Sequence, residues 1–227
     1  LVESVQGRSD TIRFTAGATR TVSHEVEAFA KDQEFRLADS LEMLLTDSSL
    51  DAIVLATPHS VHALQVIAAA GAGKHVFCEK PFALTRDDAE SAVAAIRKAG
   101  VTLGLGYNRR FHPEMIKLRE RIRNGELGTV MHVEATMTFP NALLLKPSQW
   151  RAQRDETPCG GLTPMGVHAI DGMIDLCGPI ESVFCQSFRR VVKIDSDDTT
   201  SILFRMADGM TGYLGTVTAT GPGFSFQ

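Results

Sequence analysis

Apolar and polar positions alternate in blocks along the first hundred residues. "TIRFTAGATR" predicts a strand, while "SHEVEAFAKD" and the segment from Ser40, "SLEMLLTD", predict helices. "DAIVLAT" is a short apolar run of the kind expected for a strand buried on both faces. "SVHALQVIAAAGAG" predicts a helix closed by glycine, and "KHVFCEK" the next strand. The clearest helix is "TRDDAESAVAAIRKAG": Thr85 can cap it, acids crowd its first turn, Arg97 and Lys98 sit in its last, and Gly100 stops it. "VTLGLGY" is a further strand. Strand and helix in repeated alternation predict α/β architecture, a doubly wound parallel sheet covered by helices.

After about Arg110 the rhythm changes. A helix in "PEMIKLRERIRNGELG" leads to a long alternating strand, "TVMHVEATMTF", and the stretch from Pro140 to Pro158 reads as an extended loop. "TPMGVHAIDGMIDLCG" is helical in pattern, with Pro164 able to take its first position. "ESVFCQSFRRV" and "TSILFRMADGMTGYLGTVT" read as strands, the latter a hairpin turning at Asp208-Gly209. Hairpin-linked strands predict a second, α+β domain on an open, mainly antiparallel sheet. Before Thr11 nothing supplies the opening strand and glycine-rich turn of a dinucleotide-binding domain, and the last strand stops at Gln227 without a closing element. Losing that opening strand would leave its neighbours roughly 10 Å apart, twice the ~4.8 Å of hydrogen-bonded strands. The expectation is a truncated chain rather than a different fold.

Composition narrows the function classes. With 44% hydrophobic residues in 227, the chain can bury one large core or two smaller ones. No run approaches the ~18 apolar residues of a membrane helix, and the N-terminus lacks the build of a signal peptide. A net charge of −4 argues against a nucleic-acid partner. Cys78, Cys159, Cys177 and Cys185 form no CxxC pair, which predicts reduced thiols in a cytoplasmic protein. The histidines fall in no metal-ligand spacing such as HExxH, so no metal is expected.

"DAIVLATPHSVHALQVIAAAGAGKHVFCEKPFAL", "GLGYNRRFHP" and "QWRAQRDETPCGGLTPMGVHAID" together resemble successive signatures of the Gfo/Idh/MocA oxidoreductases, over essentially all of Thr11 to Gly215. That resemblance implies a Rossmann domain over 1–109, N-terminally incomplete, and a substrate and oligomerisation domain over 110–227, C-terminally incomplete. It implies hydride transfer between NAD or NADP and a CH–OH or C=O group of a sugar, inositol or related polyol. A homo-oligomer through the second-domain sheet follows by the same resemblance.

The resemblance puts Lys80 beside the nicotinamide and the reacting hydroxyl. The residue ends a parallel strand, where open α/β sheets bind ligands, and Pro81 fixes the backbone beyond it. An ammonium held there stabilises alkoxide character on the oxygen as hydride leaves carbon. His168 matches the family's general acid/base, for which imidazole suits the task near neutrality. The chain departs from the family four positions before His168, where Asp is common and Pro164 stands. A proline side chain offers no acceptor, so Asp171 and Thr163 are the nearest candidates for a polar partner. Pro164 also favours a second reading, a cofactor-sensing regulator without turnover.

By resemblance, Thr57, Pro58, His59, Ser60, His62, Glu79, Lys80, Asn108, Trp150 and Arg151 contact the cofactor, and Arg109 and Asp171 face the substrate. Arg110 is expected to be structural. "AGATRT" carries no acid at the end of the second strand but has Thr19 and Arg20, which suit a 2′-phosphate. NADP is therefore expected over NAD.

Overall fold

The structure, a computed structural model, describes residues 1–221 and 225–226. Its chain falls into two compact units, neither continuous in sequence. Unit one holds Leu1–Leu55, Leu64–Phe77 and Glu90–Gly104; unit two holds Ala56–Ala63, Cys78–Ala89 and Leu105–Gln227.

Around unit one the order is α1 (Val2–Val5), β1 (Ala16–Ala18), α2 (His24–Asp32), β2 (Arg36–Ala38), α3 (Leu41–Thr46), β3 (Ala52–Leu55), α4 (His62–Gly71), β4 (His75–Cys78), α5 (Arg86–Ala99) and β5 (Leu103–Leu105). Helix starts are where the capping residues put them. Ser23 Oγ accepts from the Val26 N–H, Ser40 Oγ from Met43, and Thr85 Oγ1 from Asp88. Gly100, at φ +69°, ends α5 in the left-handed region that glycine enters without strain. Buried Lys74 donates to the Asp47 and Leu50 carbonyls at 2.7 Å each, satisfying groups just beyond α3.

β1 runs parallel to β2, with Gly17 opposite Leu37, while β3, β4 and β5 form a separate sheet in that order. β2 has no counterpart in the hydrophobic pattern, and the strand expected from Thr11 narrows to Ala16–Ala18. β3 corrects a second expectation. Ile53 and Leu55 are buried but Val54 is 39% exposed, so this apolar run is covered on one face only.

Unit two adds α6 (Pro113–Arg123), β6 (His132–Thr138), α7 (Asn141–Leu144), α8 (Gly166–Cys177), β7 (Ile180–Phe188), β8 (Thr199–Met206), β9 (Thr211–Val217) and β10 (Ser225–Phe226). The sheet order is β10-β6-β9-β8-β7, antiparallel throughout except for the parallel β6–β9 pair. The β8–β9 hairpin turns through Gly209 at φ +94°. Ala169 and Met173 of α8 pack on Met137, Ile202, Phe204, Met206 and Leu214 of one sheet face. Each such large side chain removed from water contributes about 1.5–3 kcal/mol. On the opposite face Phe184 and Leu203, paired in register, are 60% and 57% exposed.

Two expectations in this unit change. The stretch from Pro140 to Pro158 holds α7 and a 3-10 turn, Trp150–Ala152. Pro164 is not the first residue of α8, because Met165 is the N-cap and the helix opens at Gly166. All four cysteines are free. Among the described residues no helix is long and apolar enough to cross a membrane, and no group of three or more His, Cys, Asp or Glu could hold a metal ion.

Candidate active site

Unit two gathers the corner after β3 (Ala56–Ala63), the corner after β4 (Cys78–Ala89) and the segment from Leu105 onward. Chemistry-bearing residues far apart in sequence therefore meet inside one compact body.

At the β4 corner Glu79, Lys80 and Pro81 follow the last strand residue, and the Lys80–Pro81 peptide is cis. Glu79 Oε2 accepts from the Lys80 backbone N–H at 3.2 Å. Gly106 allows this carboxylate in: a Cβ there would lie 2.8 Å from Glu79 Oε2. Lys80 Nζ donates to the carbonyl of Pro164 at 2.6 Å. Pro164, which has no side-chain acceptor, thus meets Lys80 through its backbone oxygen. Burial lowers the Lys80 pKa, against which Glu79 raises it, while Arg151 and Arg109 lower it further. Neighbouring Cys78 is pushed up to about 12 by burial, which makes it a packing residue rather than a nucleophile.

His168 lies in the first turns of α8 and is 8% exposed. Its Nδ1 is buried with no hydrogen-bond partner. Burial first, then the charges of Lys80 and Arg109, push its pKa down to about 4, with Asp171 acting the other way. The imidazole is therefore neutral at pH 7, and a weaker base than the near-neutral group that the sequence suggests. The Tyr107 ring stands edge-on to it, centroids 6.3 Å apart, and burial raises the Tyr107 hydroxyl pKa. Neither residue expected to partner His168 does so. Thr163 Oγ1 donates to the Pro158 carbonyl. Asp171 accepts from Arg110 Nη2 at 2.5 Å and Nε at 2.6 Å, and Arg110 and Arg119 also hold Asp175. Asp171 and Arg110 thus form a structural pair, with Asp171 close enough to His168 to act on it electrostatically.

The corner after β3 holds Thr57 and Pro58, the 3-10 turn His59–Val61, and then His62. Expected as a cofactor contact, His62 is fully buried; its Nδ1 lies 2.7 Å from the Pro81 carbonyl oxygen and its Nε2 3.0 Å from that of Thr57. Its ring ties the two corners together. The Ser60 N–H, expected to face the nucleotide, donates instead to Glu156 Oε2 at 3.0 Å. His59 stacks edge-on against Trp150, centroids 4.8 Å apart, and the Arg151 guanidinium lies 4.0 Å over the indole. Asn108 is exposed and Arg109 half-buried in the 3-10 turn Asn108–Phe111. Thr19 and Arg20, in unit one, are exposed directly after β1.

Tyr107, Glu156 and the Pro164 carbonyl were not among the sequence candidates. Tyr107 lies inside the quoted "GLGYNRRFHP" and Glu156 and Pro164 inside "QWRAQRDETPCGGLTPMGVHAID", but the contacts that Glu156 and the Pro164 carbonyl make leave no sequence signal.

Two family descriptions match the chain: "Oxidoreductase family, NAD-binding Rossmann fold" over residues 4–107 and "GFO/IDH/MocA C-terminal domain" over 115–226. The 1,5-anhydro-D-fructose reductase of Ensifer adhaerens is 37% identical over 134 residues, 58% of this chain and 39% of the relative. The D-xylose 1-dehydrogenase (NADP(+)) 2 of Haloferax volcanii is 37% identical over 140 residues, 56% of this chain and 43% of the relative. The chain therefore spans less than half the length of these curated relatives in the matched regions. Among solved structures, the WlbA dehydrogenase of Bordetella pertussis, in complex with NADH and UDP-GlcNAcA, superposes with a TM-score of 0.88 at 25% identity, covering 99% of this chain and 66% of that one.

Proposed function

The chain belongs to the Gfo/Idh/MocA oxidoreductase family, and from that premise we propose that it serves an NADP-preferring dehydrogenase or reductase of a small sugar, inositol or related polyol. Residues 1–109 are read as the nucleotide-binding domain and 110–227 as the domain for substrate and self-association. One observation carries the catalytic reading: Lys80 Nζ is anchored on the carbonyl four residues before His168, whose Nδ1 is buried and unpartnered.

Those features fit a nicotinamide cofactor and a hydroxyl-bearing substrate. An ammonium has three N–H donors, and the Pro164 carbonyl uses one. Lys80 keeps donors for a substrate oxygen and stabilises negative charge as it develops there. His168, neutral at pH 7, accepts the hydroxyl proton in oxidation and returns it in reduction. The cofactor, when bound, supplies the acceptor or donor of hydride. His59, Glu79, Asn108, Trp150 and Arg151 are read as its contacts, and Arg109 as a substrate contact. Thr19 and Arg20 are read as the binders of a 2′-phosphate, since a hydroxyl and a guanidinium attract what a carboxylate would repel. Sugar-directed activities named for the relatives support the substrate class. The exposed Phe184–Leu203 face supports self-association through the second sheet.

The test uses the full-length protein, NADP and a panel of sugars and polyols, followed by absorbance of the reduced nicotinamide. Turnover with one substrate group is expected. Tight cofactor binding without turnover on any of them would favour the sensing reading instead. NADPH is expected to bind more tightly than NADH, and Arg20→Glu to remove or reverse the difference. Equal wild-type affinity for the two would refute the role given to Arg20.

A further inference from the structure

We propose that Glu156 is a positioning residue that straps the cofactor-facing corner Thr57–Ser60 to the Trp150–Arg151 turn; the inference rests on the function proposed above. Glu156 binds across 96 residues of sequence with both ends of its structure. Its carboxylate accepts from the Ser60 N–H and from the Ser60 hydroxyl, and its carbonyl accepts from His59 Nδ1 at 2.7 Å. His59 in turn meets Trp150, and Trp150 carries Arg151 over its face. One residue thereby fixes both segments read as cofactor contacts.

The other end of the strap is built into the sheet. Two residues before Glu156, Arg154 donates to both oxygens of Asp197, at 2.7 and 3.1 Å, and holds that carboxyl below its usual range. Asp197 is buried and also accepts from Ser187 of β7 at 2.7 Å. Gly160, at φ +54°, lets the segment lie directly on this point, since a Cβ there would sit 1.9 Å from the Asp197 carbonyl oxygen. Ser60, by contrast, is exposed. Water competes for the Ser60 contacts far more than for the buried Asp197 pair. The strap is therefore fixed at Asp197 and releasable at Ser60. Removing the Glu156 carboxylate should loosen the corner that receives the cofactor and leave the sheet end intact.

Trp150 is the chain's single tryptophan and reports on the strap through His59. In the full-length protein without cofactor, Glu156→Ala should change the emission contributed by Trp150, identified by its loss in Trp150→Phe. With NADPH, KM for the cofactor should rise about tenfold, the loss expected for one or two ordinary hydrogen bonds, and by more than kcat falls. Glu156→Gln should restore both readings, because its amide accepts from the Ser60 N–H and donates to the hydroxyl. Ser60→Ala, which removes one contact and little else, should move both in the same direction by less. Unchanged emission and KM in Glu156→Ala, or a Glu156→Gln variant as impaired as Ala, would overturn the proposal. Should the wild type neither bind nor turn over NADPH, the function proposed above fails, while the emission comparison still decides the strap.

Discussion

His62 and His168 are both buried histidines in the same compact unit, and they differ in one respect. Each ring nitrogen of His62 faces a carbonyl oxygen of the chain, whereas His168 Nδ1 faces none. A buried polar group is normally paired, and an unpaired one lowers stability by about 1–3 kcal/mol. His62 therefore joins two corners as an internal brace. His168 Nδ1 is left unpartnered near the Lys80 charge, an arrangement poor for stability, and it is on this that the proposed acid/base role rests.

Substitutions can break this comparison in order of effect. His168→Asn should lower turnover by about 10²–10⁴-fold, the usual contribution of a positioned acid/base, measured as kcat on the substrate found by screening. Its stability should respond as well. The unfolded chain binds a proton on this imidazole below pH 6.5, and the folded one only near 4. Between those values the unfolded state holds more protons, so wild-type stability falls as pH falls, and His168→Asn should flatten that slope in thermal melts. Lys80→Met should lower turnover by about 10²–10³-fold, as for a lost oxyanion donor, while cofactor binding stays measurable. An unchanged rate would remove Lys80 from the mechanism. His62→Phe should act on stability, lowering it by about 1–3 kcal/mol in denaturant titrations because the carbonyl, of Thr57 or Pro81, that accepts the ring N–H loses its donor.

The same contrast marks what could be read from sequence. α5 was legible because Thr85, its acidic first turn, its basic last turn and Gly100 all state one local message. The Asp208-Gly209 hairpin was legible for the same reason. Lys80 and His168 stood out through motifs, each short and continuous, and their proposed roles rest on those motifs and on the Lys80–Pro164 contact. What escaped was non-local or carried by backbone. Three residues of β2 have no period to detect. The Ser60–Glu156 link depends on a fold that brings distant segments together. Pro164 read as a lost acceptor because a side chain can be seen in a sequence and the direction of a carbonyl cannot. That His62 is paired and His168 Nδ1 is not could not be read locally, since pairing is decided by neighbours from other elements.

The account rests on an ammonium close enough to a neutral imidazole to act on it, and an NMR titration of the His168 ring in the full-length protein, wild type and Lys80→Met, tests it most directly. Near 4 in the wild type, the titration should move up once the Lys80 charge is gone, yet stay below 6.5 because burial is the larger cause. A wild-type ring titrating near 6.5, or a low value that Lys80→Met leaves in place, would contradict it.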